Sequence, residues 1–130
     1  MNKNSQILLK FAGLFGVIGA FLGAHMAGAG SYAFRPVHAH ILVVGWLSLF
    51  AWAVFYKVFQ TKQTILTKIH VWTAIIGSAG LTLGMWLYMV KPFDLPQGFT
   101  LIFYIAGGVA LLISFIAFFL LTLFYKAEAE

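Results

Sequence analysis

The chain has 130 residues, of which 62% are hydrophobic, 18% aromatic and only 8% charged, so it cannot present an ordinary charged surface to water. The net charge of +5 does not indicate nucleic-acid binding, because the basic residues stand at the ends of apolar runs, where they meet lipid headgroups. Cysteine is missing from the sequence, which excludes disulfides, thiolate-held iron–sulfur clusters and cysteine nucleophiles. The composition predicts an integral membrane protein, and the length predicts a single domain.

Four apolar segments have the length of a membrane-spanning helix, about 20 residues. They cover residues 7–29, 37–59, 69–90 and 99–125, and the short connections between them force neighbouring helices to be antiparallel. One side of the bilayer then receives most of the basic residues: Lys3, Lys10, Lys57, Lys62, Lys68 and Lys126. Arg35 and Lys91 fall on the other side. The sequence therefore predicts an all-α bundle of four transmembrane helices with both termini in the cytoplasm, as in a protein of the bacterial cytoplasmic membrane.

The first segment resembles a cleavable signal peptide, because an apolar stretch leads into the small residues of "AHMAGAG". Lys10 inside the run and a regular pattern of small residues favour a retained helix. Two stripes recur at four-residue spacing and predict close helix packing; they comprise Gly16, Ala20, Ala24 and Gly28, and Gly19, Gly23 and Ala27. Gly80 and Gly84 predict the same for the third segment.

Acidic residues are absent from all four segments, since Asp94 lies in the outer loop and Glu128 and Glu130 lie in the C-terminal tail. Proton pumps and carboxylate-driven ion transporters normally place an acid within the membrane. Phosphate-binding glycine loops, activated serines and acid pairs are also missing, which argues against ATPase, protease and glycosidase chemistry. Histidine is what remains for cofactor binding.

Three of the four histidines are predicted at similar depth near the outer face: His25 at the end of the first helix, and His38 and His40 at the start of the second. His70 begins the third helix at the cytoplasmic end, about 30 Å from His40 at 1.5 Å per residue, so one cofactor cannot bind both. We expect His70 to be an interfacial residue beside Lys68 and Trp72, with a second site as the alternative.

His38 and His40 point about 200° apart on a regular helix, so they cannot grip one ion together. Each could bind a different haem, or one could bind haem while the other orients a ligand or binds a metal. Pro36 suits the first turn of the helix, where its missing N–H would have been unpaired. Arg35, just before it, is placed to pair with a haem propionate through its planar fork, although it could also be an ordinary interfacial charge.

The stretches "HAHILVVGW" and "KIHVW" resemble the small four-helix relatives of haem-copper oxidase subunit I and, over the second helix, the catalytic subunits of oxidases and nitric oxide reductases. In that family an out-to-in helix carries a His-x-His pair whose histidines bind two different haems, and an outer arginine holds propionates. The resemblance places the pair at His38 and His40 and implies haem b and electron transfer. The adjacent copper-binding histidine pair of the oxidases is missing, as are the acids of their proton channels.

Three hypotheses follow: a haem b electron-transfer protein, a copper or other metal-binding protein using His25, His38 and His40, or an assembly subunit without a ligand. For the first we expect His40 as an axial ligand, with His38 or His25 at the second position. Six-coordinate iron would leave no site for a gas and would favour electron transfer, while a vacant sixth position would reopen the case for an enzyme. In the oxidase family the twelve-helix catalytic subunit forms a ring of three four-helix arcs around a pseudo-threefold axis, and this chain has the size of one arc. The resemblance therefore implies a homotrimer that rebuilds this oxidase ring, with a dimer as the alternative. A quinol or a redox protein is the partner that electron transfer would require.

Overall fold

The computed structural model describes residues 2–59 and 61–126, and every regular element within these ranges is helical. Four helices are long and apolar enough to cross a membrane: α1 (Lys3–Ala29), α2 (Arg35–Val58), α3 (Ile65–Val90) and α4 (Gln97–Phe124). The predicted all-α class and the number of helices are confirmed. The orientation of the termini stays a prediction, and the acids Glu128 and Glu130 lie outside the described residues.

The helices begin two to four residues before the apolar segments do, and in α1 and α3 polar residues cap the first turn. Asn2 accepts hydrogen bonds from the backbone N–H groups of Asn4 and Ser5, and this starts α1 at Lys3 rather than at residue 7. Thr64 and Thr67 form a reciprocal capping box, which starts α3 at Ile65 rather than at residue 69. Apolarity alone marks where a helix meets lipid, not where its hydrogen bonding begins.

Glycines bring α3 and α4 into backbone contact. A Cβ atom at Gly107 would lie 2.3 Å from the carbonyl carbon of Gly80, and one at Gly84 would lie 2.5 Å from the Cα of Tyr104. Gly77 is as close to the backbone at Leu111. Gly80 and Gly84 therefore lie in the contact between α3 and α4, as the small-residue pattern predicts. Membrane helices commonly pack through small residues, because the hydrophobic effect does not drive helices together in lipid.

The small residues of α1 divide between two surfaces. Gly19 packs beneath Leu42 and Gly23 beneath the ring of His38, so this stripe faces α2. Ala20, Ala24 and Gly28 are exposed on the described protomer. Gly16 also faces α2, since a Cβ there would lie 3.5 Å from the Trp46 ring, whereas Ala27 is exposed. Each predicted stripe thus makes contacts within the chain over only part of its length.

The middle of α2 departs from α-helical geometry between Ile41 and Leu47, where the helix is π-helical. The Ser48 N–H pairs with the carbonyl of Val43, five residues earlier, and the Ser48 hydroxyl donates to the same oxygen at 2.8 Å. Ser78 on α3 donates to the Val44 carbonyl at 3.0 Å. In these π-helical turns, backbone carbonyl oxygens thus accept hydrogen bonds from side chains, as expected where the regular α-helical hydrogen bonding is interrupted.

A single apolar cluster joins all four helices and includes Leu8, Tyr56, Ala74 and Leu121. These residues lie towards the end of the bundle where α1 begins and α2 ends. At the opposite end, α1 and α3 separate and leave an apolar groove between them. The histidines of the first two helices are found at that end.

Candidate functional site

His38 is half-buried between α1 and α2, one turn after the start of α2. Its Nδ1 lies 2.8 Å from the carbonyl oxygen of Gly19. A carbonyl only accepts, so in the neutral imidazole Nδ1 carries the proton and donates, and Nε2 keeps its lone pair. The ring lies over Gly23, where a Cβ atom would be 3.0 Å from His38 Cε1. His38 therefore fastens the start of α2 to α1.

His40 makes the same kind of hydrogen bond within its own helix. Its Nδ1 lies 2.8 Å from the Pro36 carbonyl, so Nδ1–H donates and Nε2 again keeps its lone pair. The side chain is exposed on the described protomer. His38 packs on α1 while His40 does not, which agrees with the opposite directions that their two-residue spacing predicts.

His25 lines the groove at the end of the bundle opposite the start of α1. Its ring stacks on Phe21 with centroids 6.5 Å apart and meets the edge of Phe34 at 5.7 Å. The groove has a volume of about 620 Å³, is open on one side and is otherwise almost wholly apolar. Its aromatic and aliphatic walls come from α1, the start of α2 and the end of α3, and include Phe11, Phe15, Ile41, Leu83 and Trp86. Among the four histidines, only His25 lines this groove.

Arg35 is exposed at the N-terminus of α2. Its guanidinium carbon lies 4.4 Å from the centroid of the Tyr32 ring, so the side chain is supported by a cation–π contact. The planar edges of a guanidinium placed this way can still bind a carboxylate. Phe34, the preceding residue, lines the groove, so Arg35 stands close to the mouth of the apolar space.

The structure does not bring His25, His38 and His40 together within one chain. No group of three or more histidine, cysteine, aspartate or glutamate side chains that could hold a metal ion is found in residues 2–59 and 61–126. His38 is turned towards α1, His40 is exposed, and His25 lies in the groove. The three-histidine copper site considered from the sequence therefore has no geometric basis within a single protomer.

His70 is fully buried, so its side chain does not lie on the bundle surface beside Lys68 and Trp72 as expected. Lys68 and Trp72 are exposed, but His70 lies on the opposite face of α3. Its Nδ1 is 2.6 Å from the Tyr56 hydroxyl, and Trp52 packs edge-on at a centroid distance of 4.7 Å. Nε2 is buried without a hydrogen-bond partner in the described part of the chain. The buried small residues Ala74 and Gly77, four and seven positions later, were the signal for this inward face.

In comparisons with known proteins, the chain matches no family model, no curated protein and no solved structure.

Proposed function

We propose that this chain is a haem b-binding integral membrane protein that transfers electrons through histidine-ligated haem. The observation that carries the proposal is the hydrogen bond from the Nδ1–H of His40 to the Pro36 carbonyl, with the Nε2 lone pair left on an exposed side chain. Metal-binding histidines are usually held in this way, because a backbone acceptor fixes the tautomer and the ring direction. The resemblance of the "HAHILVVGW" stretch to haem-copper oxidases supports the same chemistry.

The groove fits a porphyrin in size and polarity. Its volume of about 620 Å³ lies within the range of cofactor sites, about 300–1,000 Å³. Its walls are aromatic and aliphatic, with His25 as its one imidazole. Arg35 stands at the outer mouth, where propionate groups would reach the membrane surface. We therefore assign His25 as the iron ligand that lines the groove, rather than His38, whose ring packs against α1. Arg35 is the proposed partner of the propionates.

His25 and His40 address different spaces, so a site that uses both has to be shared between protomers. An exposed imidazole facing hydrocarbon lacks a partner for its Nε2, which is costly. In a closed cyclic oligomer, His40 of one protomer can reach the groove of the next, and every protomer then uses both histidines. The exposed stripe of Ala20, Ala24 and Gly28 allows close approach of a neighbouring helix. We propose a homotrimer, as the likeness to an oxidase ring implies.

Bound haem would supply a one-electron iron couple, and two imidazole ligands would leave the iron no open position for a gas. The four helices also contain no aspartate or glutamate with which to move protons across the membrane. Electron transfer is thus the use that fits this set of residues better than gas reduction. A quinol or a redox protein at the outer face would serve as donor.

The visible absorption spectrum of the purified protein tests this function. We expect a Soret band and haem b α-bands on reduction, with no rapid change when carbon monoxide is added to the reduced protein. Rapid carbon monoxide binding by intact protein would contradict a pure electron carrier and favour an enzyme. Metal without haem would instead support the copper alternative, and protein free of both would support an assembly subunit.

A further inference from the structure

A second, polar pocket lies at the other end of the bundle, where α1 begins, α2 ends and α3 begins. It has a volume of about 900 Å³ and is unrelated to the apolar groove. Its lining holds three lysines, one from each of these helices: Lys3, Lys57 and Lys68. No carboxylate lines it, and the only acidic residue in ranges 2–59 and 61–126 is Asp94, in the loop at the opposite end. The pocket is thus a concave surface with uncompensated positive charge.

The walls of this pocket are fixed by hydrogen bonds between and within elements. The side-chain amide of Asn2 donates to the Tyr56 carbonyl at 2.9 Å, which ties the start of α1 to the end of α2. The Thr67 hydroxyl, at the start of α3, donates to Gln63 Oε1 at 3.3 Å. Three lysines repel one another when brought around such a fixed wall, and an anion between them would remove the repulsion.

One hydroxyl of the lining also lacks a partner. Thr61 Oγ1 is buried and makes no hydrogen bond within the described part of the chain, although the residue lines the pocket. A buried hydroxyl without a partner is unfavourable, and a phosphate oxygen would accept a hydrogen bond from it. This atom points to a ligand independently of the lysine charges.

The position of the pocket along the helices decides between a soluble and a membrane-bound anion. Trp72 lines it and is 53% exposed on the outside of α3. Tryptophan beside lysine at a helix end is typical of the headgroup layer of a bilayer. A ligand that enters here from the membrane can place its phosphate among the lysines while its acyl chains remain in lipid.

We propose that this pocket binds the phosphate of an anionic phospholipid headgroup, with Lys3, Lys57 and Lys68 as charge partners and Thr61 as a hydrogen-bond donor. Basic pockets between transmembrane helices bind anionic headgroups in this manner. The site is independent of haem, because none of its residues lines the outer groove.

Native mass measurement of lipid binding in mild detergent tests the proposal. The probes are phosphatidylglycerol and phosphatidylcholine with the same acyl chains, and inorganic phosphate as the soluble source. We expect the full chain to bind phosphatidylglycerol at least about tenfold more tightly than phosphatidylcholine, since each lysine near an anionic headgroup adds a substantial attraction. Equal affinity for the two lipids would overturn the proposal, and displacement of phosphatidylglycerol by millimolar phosphate would overturn its assignment to lipid.

Two sets of variants separate a built site from diffuse attraction. The triple variant Lys3→Gln, Lys57→Gln, Lys68→Gln should lose the preference for phosphatidylglycerol. The matched control Lys10→Gln, Lys62→Gln, Lys126→Gln removes the same charge from the same end of the bundle, outside the pocket lining, and should keep the preference to within about threefold. Equal loss in both triples would contradict a defined pocket.

Thr61→Val tests the hydroxyl separately, because it keeps the side-chain shape and the charge. It should weaken phosphatidylglycerol binding about fivefold, the typical effect of one hydrogen bond, and leave phosphatidylcholine binding unchanged. Unaltered phosphatidylglycerol affinity in this variant would remove Thr61 from the site. Circular dichroism of every variant establishes that the helices have formed.

Discussion

At the residue scale, the three histidines at the end of the bundle opposite the termini differ in their surroundings. His38 and His40 both direct Nδ1–H to a backbone carbonyl, but His38 is half-buried whereas His40 is exposed. His25 is also exposed, and it lines the apolar groove. The residue types and their depth could be read from the sequence. The Nδ1 partner of His38 could not, because Gly19 lies on another helix and its contact depends on how α1 and α2 pack.

Replacement of the two assigned ligands provides the first prediction. His40→Ala and His25→Ala should each lose haem or change its spin state, because each removes one axial nitrogen. His70→Ala should leave the spectrum unaltered, since His70 lies in the apolar core at the other end of the bundle. Haem content and absorption spectra measure both effects. An unaltered spectrum in His40→Ala would remove this residue from the site.

The buried pair of Tyr56 and His70 gives a prediction on stability. Tyr56→Phe removes the hydroxyl 2.6 Å from His70 Nδ1, and the buried imidazole then has no partner for that nitrogen. We expect a loss of about 1–3 kcal/mol in the free energy of unfolding, measured by titration with denaturing detergent. Tyr88→Phe is the matched control, because Tyr88 is not fully buried. Equal stability of the two variants would show that the hydrogen bond contributes little.

At the scale of elements, the close packing of α3 and α4 depends on glycines, which have no side chain. Gly107→Ala would place a Cβ within 2.3 Å of the α3 backbone and force the helices apart. We predict a loss of about 1–3 kcal/mol, the usual cost of overpacking. Gly13→Ala meets nothing within 4 Å and should be neutral or slightly stabilising. The same detergent titration compares them, and equal effects would contradict the close contact.

Helix number and approximate position followed from the apolar segments, because the length of a spanning helix is set by the bilayer. The π-helical turns between Ile41 and Leu47 did not follow. The stretch is an unbroken apolar run apart from Gly45, and it carries no proline or cap to mark a change of hydrogen bonding. The cause lies in tertiary packing: a Cβ at Gly45 would be 2.5 Å from the Phe15 ring, and Ser78 takes up the Val44 carbonyl.

The whole molecule is predicted to place both termini in the cytoplasm, from the lysines that share one end. The sequence contains no cysteine, so single-cysteine variants report topology without background. Lys62→Cys and Asp94→Cys both alter exposed residues, in the α2–α3 and α3–α4 loops respectively. In sealed right-side-out vesicles, a membrane-impermeant maleimide should label only Asp94→Cys. Labelling of Lys62→Cys instead would show the opposite orientation, with the histidine end in the cytoplasm.

Assembly belongs to the same scale, because His25 and His40 can serve one haem only if they come from different protomers. We predict that native mass measurement will show a trimer and that this trimer will dissociate when haem is removed. A dimer would be compatible with a haem site shared between protomers but would contradict the oxidase-like ring of three protomers. A monomer that retains stoichiometric haem would contradict sharing altogether, since the two histidines of one chain address different spaces.

Titration of haem-free protein with haem tests the central claim most directly. We predict a saturable Soret shift to a six-coordinate, low-spin spectrum at one haem per protomer, because a cyclic trimer with one shared site per interface has as many sites as chains. The double variant His25→Ala, His40→Ala should show no saturable shift. A wild-type titration without saturation, or one that the double variant reproduces, would contradict histidine-ligated haem as the function of this protein.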